Sequence, residues 1–269
     1  MNKNLREQQL ISIAKSVIES DTYKDEFNFL LNEYQMTENE LIEGFLTYNT
    51  SKEIWDSNDI YKIKEIRPVL HLHNCVQGSW HQERQEAIDD LLHYEKPNTV
   101  IDIAFGVPGK YIKKILKNKE TPHITLCDRE IDAFLFSEKL LKYWSTNWRK
   151  NISFAYIDMD DLKFPGNFDI YILQDAIEHT KDPEKFLELL LEKSPKNAKF
   201  IFSLPICKLM GMHTIAWETV ESAKNWLSVH GLEIEQEKIV SPNKDIDLFS
   251  NDLDGSIADF YSLCSKNKS

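Results

Sequence analysis

The 269-residue chain is short of cysteine, and its four cysteines, Cys75, Cys127, Cys207 and Cys264, lie too far apart to form a zinc or redox motif. Cys127 and Cys264 fall in strand-like runs, where a cysteine serves as a small core residue. Basic residues are also short. Lys and Arg number 32 against 44 Asp and Glu, for a net charge of −12. This argues against nucleic acid or an anionic membrane as the main partner, since either wants a basic face. The plainest meaning of the acidity is solubility. No apolar run reaches the length of a signal or membrane-spanning segment, so the expected compartment is the cytoplasm. Glycine is scarce, eight in all, and no repeat or low-complexity tract is found. What is present, 42% hydrophobic residues, suffices for a full core in one large α/β domain with an accessory part, or in two small domains.

The first 70 residues read as helices. Leu10, Ile13, Ala14, Val17 and Ile18 form a helical stripe, and Thr37-Glu38-Asn39-Glu40 is a capping-box candidate ahead of Leu41, Ile42, Phe45 and Leu46. They carry no chemistry of their own and are expected to form a cap, serving as a lid or a dimer surface. From Thr99 onward, strand-like runs (99–103, 123–127, 152–157, 168–173, 199–204, 232–240, 258–265) alternate with helical ones (109–118, 130–146, 183–193, 219–229). Asp182-Pro183 is a helix start and Gly231 a helix stop. Such alternation predicts a mostly parallel sheet covered on both faces. An acidic Asn/Asp/Ser-rich stretch at 241–256 replaces the last helix, so the final two strands are expected to pair like a hairpin.

The most informative segment is Val100-Ile101-Asp102-Ile103-Ala104-Phe105-Gly106-Val107-Pro108-Gly109-Lys110-Tyr111-Ile112. A β-branched run ends near an acid, passes through a turn with two glycines, and enters a helix. That is how a doubly wound sheet brings bare backbone up to a nucleoside ligand. Three later segments follow in order: Ile124-Thr125-Leu126-Cys127-Asp128, then Ile157-Asp158-Met159-Asp160-Asp161-Leu162, then Phe168-Asp169-Ile170 leading to Gln174-Asp175-Ala176-Ile177-Glu178-His179 and Asp182-Pro183. The fifth strand, Phe200 to Leu204, is followed by His213 and Trp217 ahead of a helix.

Taken together these segments resemble a class I S-adenosylmethionine-dependent methyltransferase of the small-molecule branch, over roughly residues 78–266. The family's usual Asp-x-Gly-x-Gly-x-Gly is altered here. Ala104 stands for the first glycine, and the last is Gly109, one position late, or is replaced by Pro108. An alanine at 104 leaves room for the cofactor's methionine part if its φ is negative. A nicotinamide-binding Rossmann domain would want an intact Gly-x-Gly-x-x-Gly and gives no account of Glu178-His179.

The resemblance implies a cofactor set of Asp102, Ala104, Gly106, Gly109, Asp128, Asp158, Met159, Gln174 and Arg84. Asp102 would orient the cofactor's amino group, or else cap the following loop. Asp128 would accept the ribose hydroxyls, or else cap the helix at Glu130. Asp158 and Met159 would read the adenine, with Asp160 and Asp161 as solvated loop charges. Gln174 would line the cofactor or acceptor pocket. Arg84 would pair the methionine carboxylate in bidentate fashion, or form a surface ion pair with Glu83 or Glu86. His213 and His179 are the catalytic candidates, as base or acceptor partner; His179 also has a purely structural reading. Trp217 is expected to pack. His71, His73, His81 and Cys75 have ligating chemistry, but their mixed spacing lacks a second cluster, so no metal site is assigned.

The expectation is therefore an α/β, Rossmann-like, doubly wound and mostly parallel seven-stranded sheet with an antiparallel last strand, forming a domain over 71–269 beneath a cap over 1–70. It would methylate a small-molecule acceptor, at oxygen or nitrogen, from S-adenosylmethionine. Neither nucleic acid nor membrane is expected as a partner, and a homodimer through the N-terminal helices is open. The other readings are a lyase or cyclase using the same cofactor, a protein or peptide methyltransferase, and a non-enzymatic interaction module.

Overall fold

The computed structural model describes residues 3–51, 53–54, 63, 65–118, 122–161, 163–164, 166–209, 213–241 and 258–267. The acidic 241–256 stretch lies, but for residue 241, outside them. The seven strands are β1 (Thr99–Ile103), β2 (His123–Asp128), β3 (Ile152–Tyr156), β4 (Ile170–Gln174), β5 (Lys199–Ile206), β6 (Leu232–Val240) and β7 (Ala258–Lys266). They form one sheet in the order β3-β2-β1-β4-β5-β7-β6. The first five are parallel, and β7 runs antiparallel between β5 and β6. The sheet is thus mixed as expected, and the last two strands do pair.

Period-2 alternation sorts the strand side chains between two cores. Ile101, Ile103, Tyr171, Leu173, Phe200 and Phe202 face helices α8 (Pro183–Lys193) and α9 (Val220–Val229) through Phe186, Leu187, Leu190, Ala223 and Leu227. Val100, Ile124, Ile170, Ile172 and Ile201 face α5 (Ser79–Glu95) and α6 (Lys110–Ile115) through Ile88, Leu91, Tyr111 and Ile112. Helix α8 starts where its sequence says it should, with Asp182 accepting from Lys185 N at 3.1 Å and Pro183 opening the first turn.

The cap comprises α1 (Lys3–Ile18), α2 (Lys24–Asn28, continued by a π turn over Phe29–Glu33), α3 (Glu38–Thr50) and α4 (Ile66–Val76). The capping box forms, since Thr37 Oγ1 accepts from Glu40 N at 3.2 Å and Glu40 Oε2 accepts from Thr37 N at 3.0 Å. The α1 stripe, Phe29, Leu30, Phe45 and Leu72 share a core with Phe136 and Leu140 of α7 (Ile131–Trp144), which seats the cap on the sheet domain. Helix α4 runs unbroken through residue 70, so the cap and the segment leading into the sheet domain are joined by one rigid rod. Among the described residues of the cap, Leu5 is a large apolar side chain that stands exposed, at 50%. Among the described residues no helix is long and apolar enough to cross a membrane.

Candidate active site at the carboxyl ends of the central strands

Strands β1 and β4 are neighbours whose crossovers run in opposite directions, so the crevice beyond their carboxyl ends is the topological switch point where open α/β sheets bind ligands. A cavity of about 200 Å³ lies there. Ala104 and Gly106 line it from the β1 loop, Asp128 from the end of β2, Ile157, Asp158 and Met159 from beyond β3, and Asp175, Ala176, His179 and Thr180 from beyond β4. Arg67 and Leu70 of α4 close it from the cap side. A larger hollow of about 510 Å³ near Asp89, His93 and Asn98 opens at the amino end of β1, the wrong edge for this architecture.

Six of the sequence-predicted residues therefore line one cavity: Ala104, Gly106, Asp128, Asp158, Met159 and His179. Gly106 has φ 62°, the left-handed conformation a glycine allows at little cost. Ala104 also has φ 59°, against the negative value anticipated for it. It occupies the family's first glycine position with a glycine's backbone and tolerates the steric cost of its methyl group. Gly109 is extended, not left-handed (φ −77°), and caps α6. Its missing Cβ matters for a different reason, because the Gln85 side chain occupies that space.

Asp128 is 7% exposed, and each of its oxygens accepts one backbone hydrogen bond. Its Oδ2 accepts from Gly106 N at 3.1 Å and its Oδ1 from Glu130 N at 3.0 Å. The second bond makes a turn ahead of α7, which begins at Ile131. Asp102 is buried at the end of β1. Tyr111 of α6 donates its hydroxyl to Oδ2, while Oδ1 has no partner. Burial raises the Asp102 carboxyl to about 7, Tyr111 pulls it back, and the nearby Asp128 charge adds to the rise. An orphaned, buried carboxylate oxygen beside the β1 loop suits a ligand that brings a cation or N–H donor. Asp158 Oδ1 accepts from Asp160 N at 3.0 Å, shaping the turn under Met159. Asp160 is held rather than loosely solvated, by Lys181 N at 3.2 Å and Lys181 Nζ at 2.8 Å.

Two sequence-predicted residues point away from the cavity. Arg84 does not face the cavity or pair with Glu83 or Glu86. It is buried beneath β4 and β7, ion-paired with Asp175 and with Asp259 (3.2 Å) and donating to Tyr261 Oη at 3.1 Å. Gln174 accepts from Gln85 Nε2 of α5 at 3.3 Å instead of lining the cavity. The next residue, Asp175, with φ 45°, lines it in its place and accepts from Ser203 Oγ at 2.6 Å. The guanidinium at the glycine loop belongs to Arg67, whose Nη1 lies 3.6 Å from where a Gly106 Cβ would sit. Arg67 binds Asp132 with two bonds (3.1 and 3.2 Å), and its Nη2 is 3.8 Å from Asp128 Oδ1. Sequence reasoning missed it because position 67 fell within a cap given no chemistry.

His179 and His213 meet edge to face, ring centroids 4.9 Å apart. Burial, with the His179 charge adding, lowers His213 to about 4, so it is neutral at physiological pH. Thr214 ties the His213 loop to the Glu178-His179 turn, its N donating to Glu178 O at 2.8 Å and its hydroxyl to Thr180 O at 2.7 Å. Trp217 is 2% exposed and packs against Trp226. His71, His81 and Cys75 are buried along the joint between α4 and α5.

No protein-family model matches the sequence, and no curated protein does either. Solved structures do match in shape. The methyltransferase domain of bacterial CtHen1-C aligns with TM-score 0.51 at 17% identity, over 70% of this chain and 100% of that one. The 1,6-didemethyltoxoflavin N1-methyltransferase of Burkholderia thailandensis, solved with S-adenosylhomocysteine, gives 0.52 at 14% identity, over 71% and 84%. The [4+2]-cyclase SpnF gives 0.54 at 12% identity, over 70% and 83%. Strand order, antiparallel β7 and these alignments agree: the chain has the Rossmann-like fold of the class I S-adenosylmethionine-dependent methyltransferases.

Proposed function

We propose that the protein binds S-adenosylmethionine in the switch-point cavity and methylates a small-molecule acceptor at oxygen or nitrogen. The observation that carries this reading is the convergence of the left-handed Ala104–Gly106 backbone, Asp128 and Asp158-Met159 on one crevice, with the unpartnered Asp102 Oδ1 buried at the base of the same loop. The cofactor, when bound, supplies a methyl group already activated on a sulfonium, so the protein's work is alignment and exclusion of water.

Each group has a place in that work. Asp102 Oδ1 accepts from the cofactor's amino group. Asp128, braced by the Gly106 and Glu130 amides, accepts from the ribose hydroxyls. Asp158 and Met159 flank the adenine. Arg67, in place of Arg84, offers its guanidinium at the glycine loop for the methionine carboxylate. Helix α4 roofs the cavity, which gives the cap the role of lid. The acceptor then enters on the side of Asp175, Thr180 and the histidine pair.

Calorimetric titration with S-adenosylhomocysteine tests this reading. Micromolar binding to the wild type, lost in Asp128→Ala, is the expected result; no binding to folded protein overturns it. Product analysis separates methyl transfer, which leaves S-adenosylhomocysteine, from lyase chemistry, which leaves methylthioadenosine.

A further inference from the structure

Among the described residues, Glu178 is a buried side chain that the chemistry above does not use. It is completely buried, and neither carboxylate oxygen has a hydrogen-bond partner. A bare carboxylate in such a place costs several kcal/mol unless something neutralises it. Arg84, the cation that acts on it most, is already engaged by Asp175, Asp259 and Tyr261.

Two imidazoles stand beside it. One oxygen of Glu178 and one nitrogen each of His179 and His213 lie within 4.8 Å of one another, the one such ligating group among the described residues. Ligands about 2.1 Å from a common ion can be at most about 4.2 Å apart, so rotations that shift these atoms by under ~1 Å suffice. The arrangement is built, not incidental. Glu178 and His179 are adjacent in the turn after β4, while His213 comes from the loop after β5. Thr214 pins the two together through Glu178 O and Thr180 O. Cys207 Sγ lies 3.7 Å from His213 Nδ1 and steadies that ring nitrogen, which leaves the other for a ligand.

The geometry points to a divalent transition-metal site formed by Glu178, His179 and His213. Two neutral imidazoles with one carboxylate are the donor set that suits zinc, iron, cobalt or manganese. Three protein ligands leave coordination positions open, and His179 also lines the cavity. Resting on the methyltransferase reading, this narrows the acceptor to one that presents an oxygen, since a hydroxyl bound to such an ion ionises near neutral pH. His213 is then a metal ligand rather than a free general base.

Cobalt(II) titration of metal-stripped protein tests the site directly, because cobalt bound to imidazole and carboxylate absorbs in the visible. One equivalent of absorbing cobalt is expected, displaced by zinc, with affinity at least tenfold weaker in both His213→Ala and Glu178→Gln. Circular dichroism of each variant confirms that it is folded. No visible band in the wild type, or equal binding by wild type and a folded His213→Ala, overturns the inference. S-adenosylhomocysteine binding to the same stripped protein is measured in parallel. Cobalt binding without nucleoside binding sinks the methyltransferase reading and leaves the metal site standing; the reverse result sinks the metal site alone.

Discussion

Asp102 concentrates the conflict between stability and binding in one side chain. Its carboxyl is raised to about 7 in the folded protein by burial, while an unfolded aspartate titrates near 3.8. Between those values the native state holds a proton that the unfolded chain has released, so ligand-free stability falls as pH rises and the loss is complete above pH 7. Asp102→Asn is expected to stabilise the free protein at pH 8 by on the order of 2 kcal/mol, seen as a Tm increase of about 5 °C. It should be nearly neutral at pH 4 and should weaken S-adenosylhomocysteine binding severely. A melt series across pH with calorimetry on both proteins checks all three. The placement of Asp128 and Asp158 at the cavity was legible because the strands they follow end at the switch point. Arg84 was not, because nothing local says which way a helical residue points. Gln174 failed by one position: side chains alternate across a strand, so an offset of one at its end exchanges the ligand face for the helix face.

At the scale of elements, one contact ties helix α4 to α7. Arg67 near the start of α4 clasps Asp132 in the first turn of α7 and approaches Asp128 beneath it. The carboxylate of Asp132 is 45% exposed, which limits what the pair adds to stability, whereas the guanidinium is buried against the cavity. Arg67→Ala is therefore expected to cost S-adenosylhomocysteine affinity about tenfold, or about 1.4 kcal/mol, with little change in Tm. Calorimetry beside a melt reads both, and an unchanged affinity would remove Arg67 from the site. The elements themselves were the most legible part of the sequence. The strand and helix runs after Thr99, the Thr37 capping box and the Asp182-Pro183 start all fall where periodicity and capping chemistry put them. The placement of the cap was not legible, since a stripe of Leu, Ile and Phe tells that a face is buried but not which surface buries it. Here that surface is Phe136 and Leu140 of α7.

Across the whole molecule, Arg84 joins parts of the chain as much as 177 residues apart. From α5, before the first strand, it reaches Asp259 and Tyr261 on the last one, and Asp175 after the fourth. Asp259 is 2% exposed, so removing the guanidinium strands a buried charge. Arg84→Ala is expected to cost about 3–5 kcal/mol of stability by denaturant melt, where an exposed arginine would cost almost nothing. A small loss of stability with a large loss of cofactor affinity would return Arg84 to the binding site instead. No sequence pattern announces such a link, because its partners are brought together only by the completed sheet.

The position of β7 sets the order in which that sheet can be finished. The strand lies inside the sheet, paired to β5 over Lys199–Ile206 and to β6 over Leu232–Val240, although it is the last of the seven in the chain. As the protein emerges from the ribosome, β2 to β5 each have a neighbour as soon as they appear, whereas β6 must wait unpaired until residues 258–266 follow it out. During that interval Arg84 also waits for Asp259. Closure of the sheet and completion of the ion pairs around its buried arginine thus arrive together, with β7.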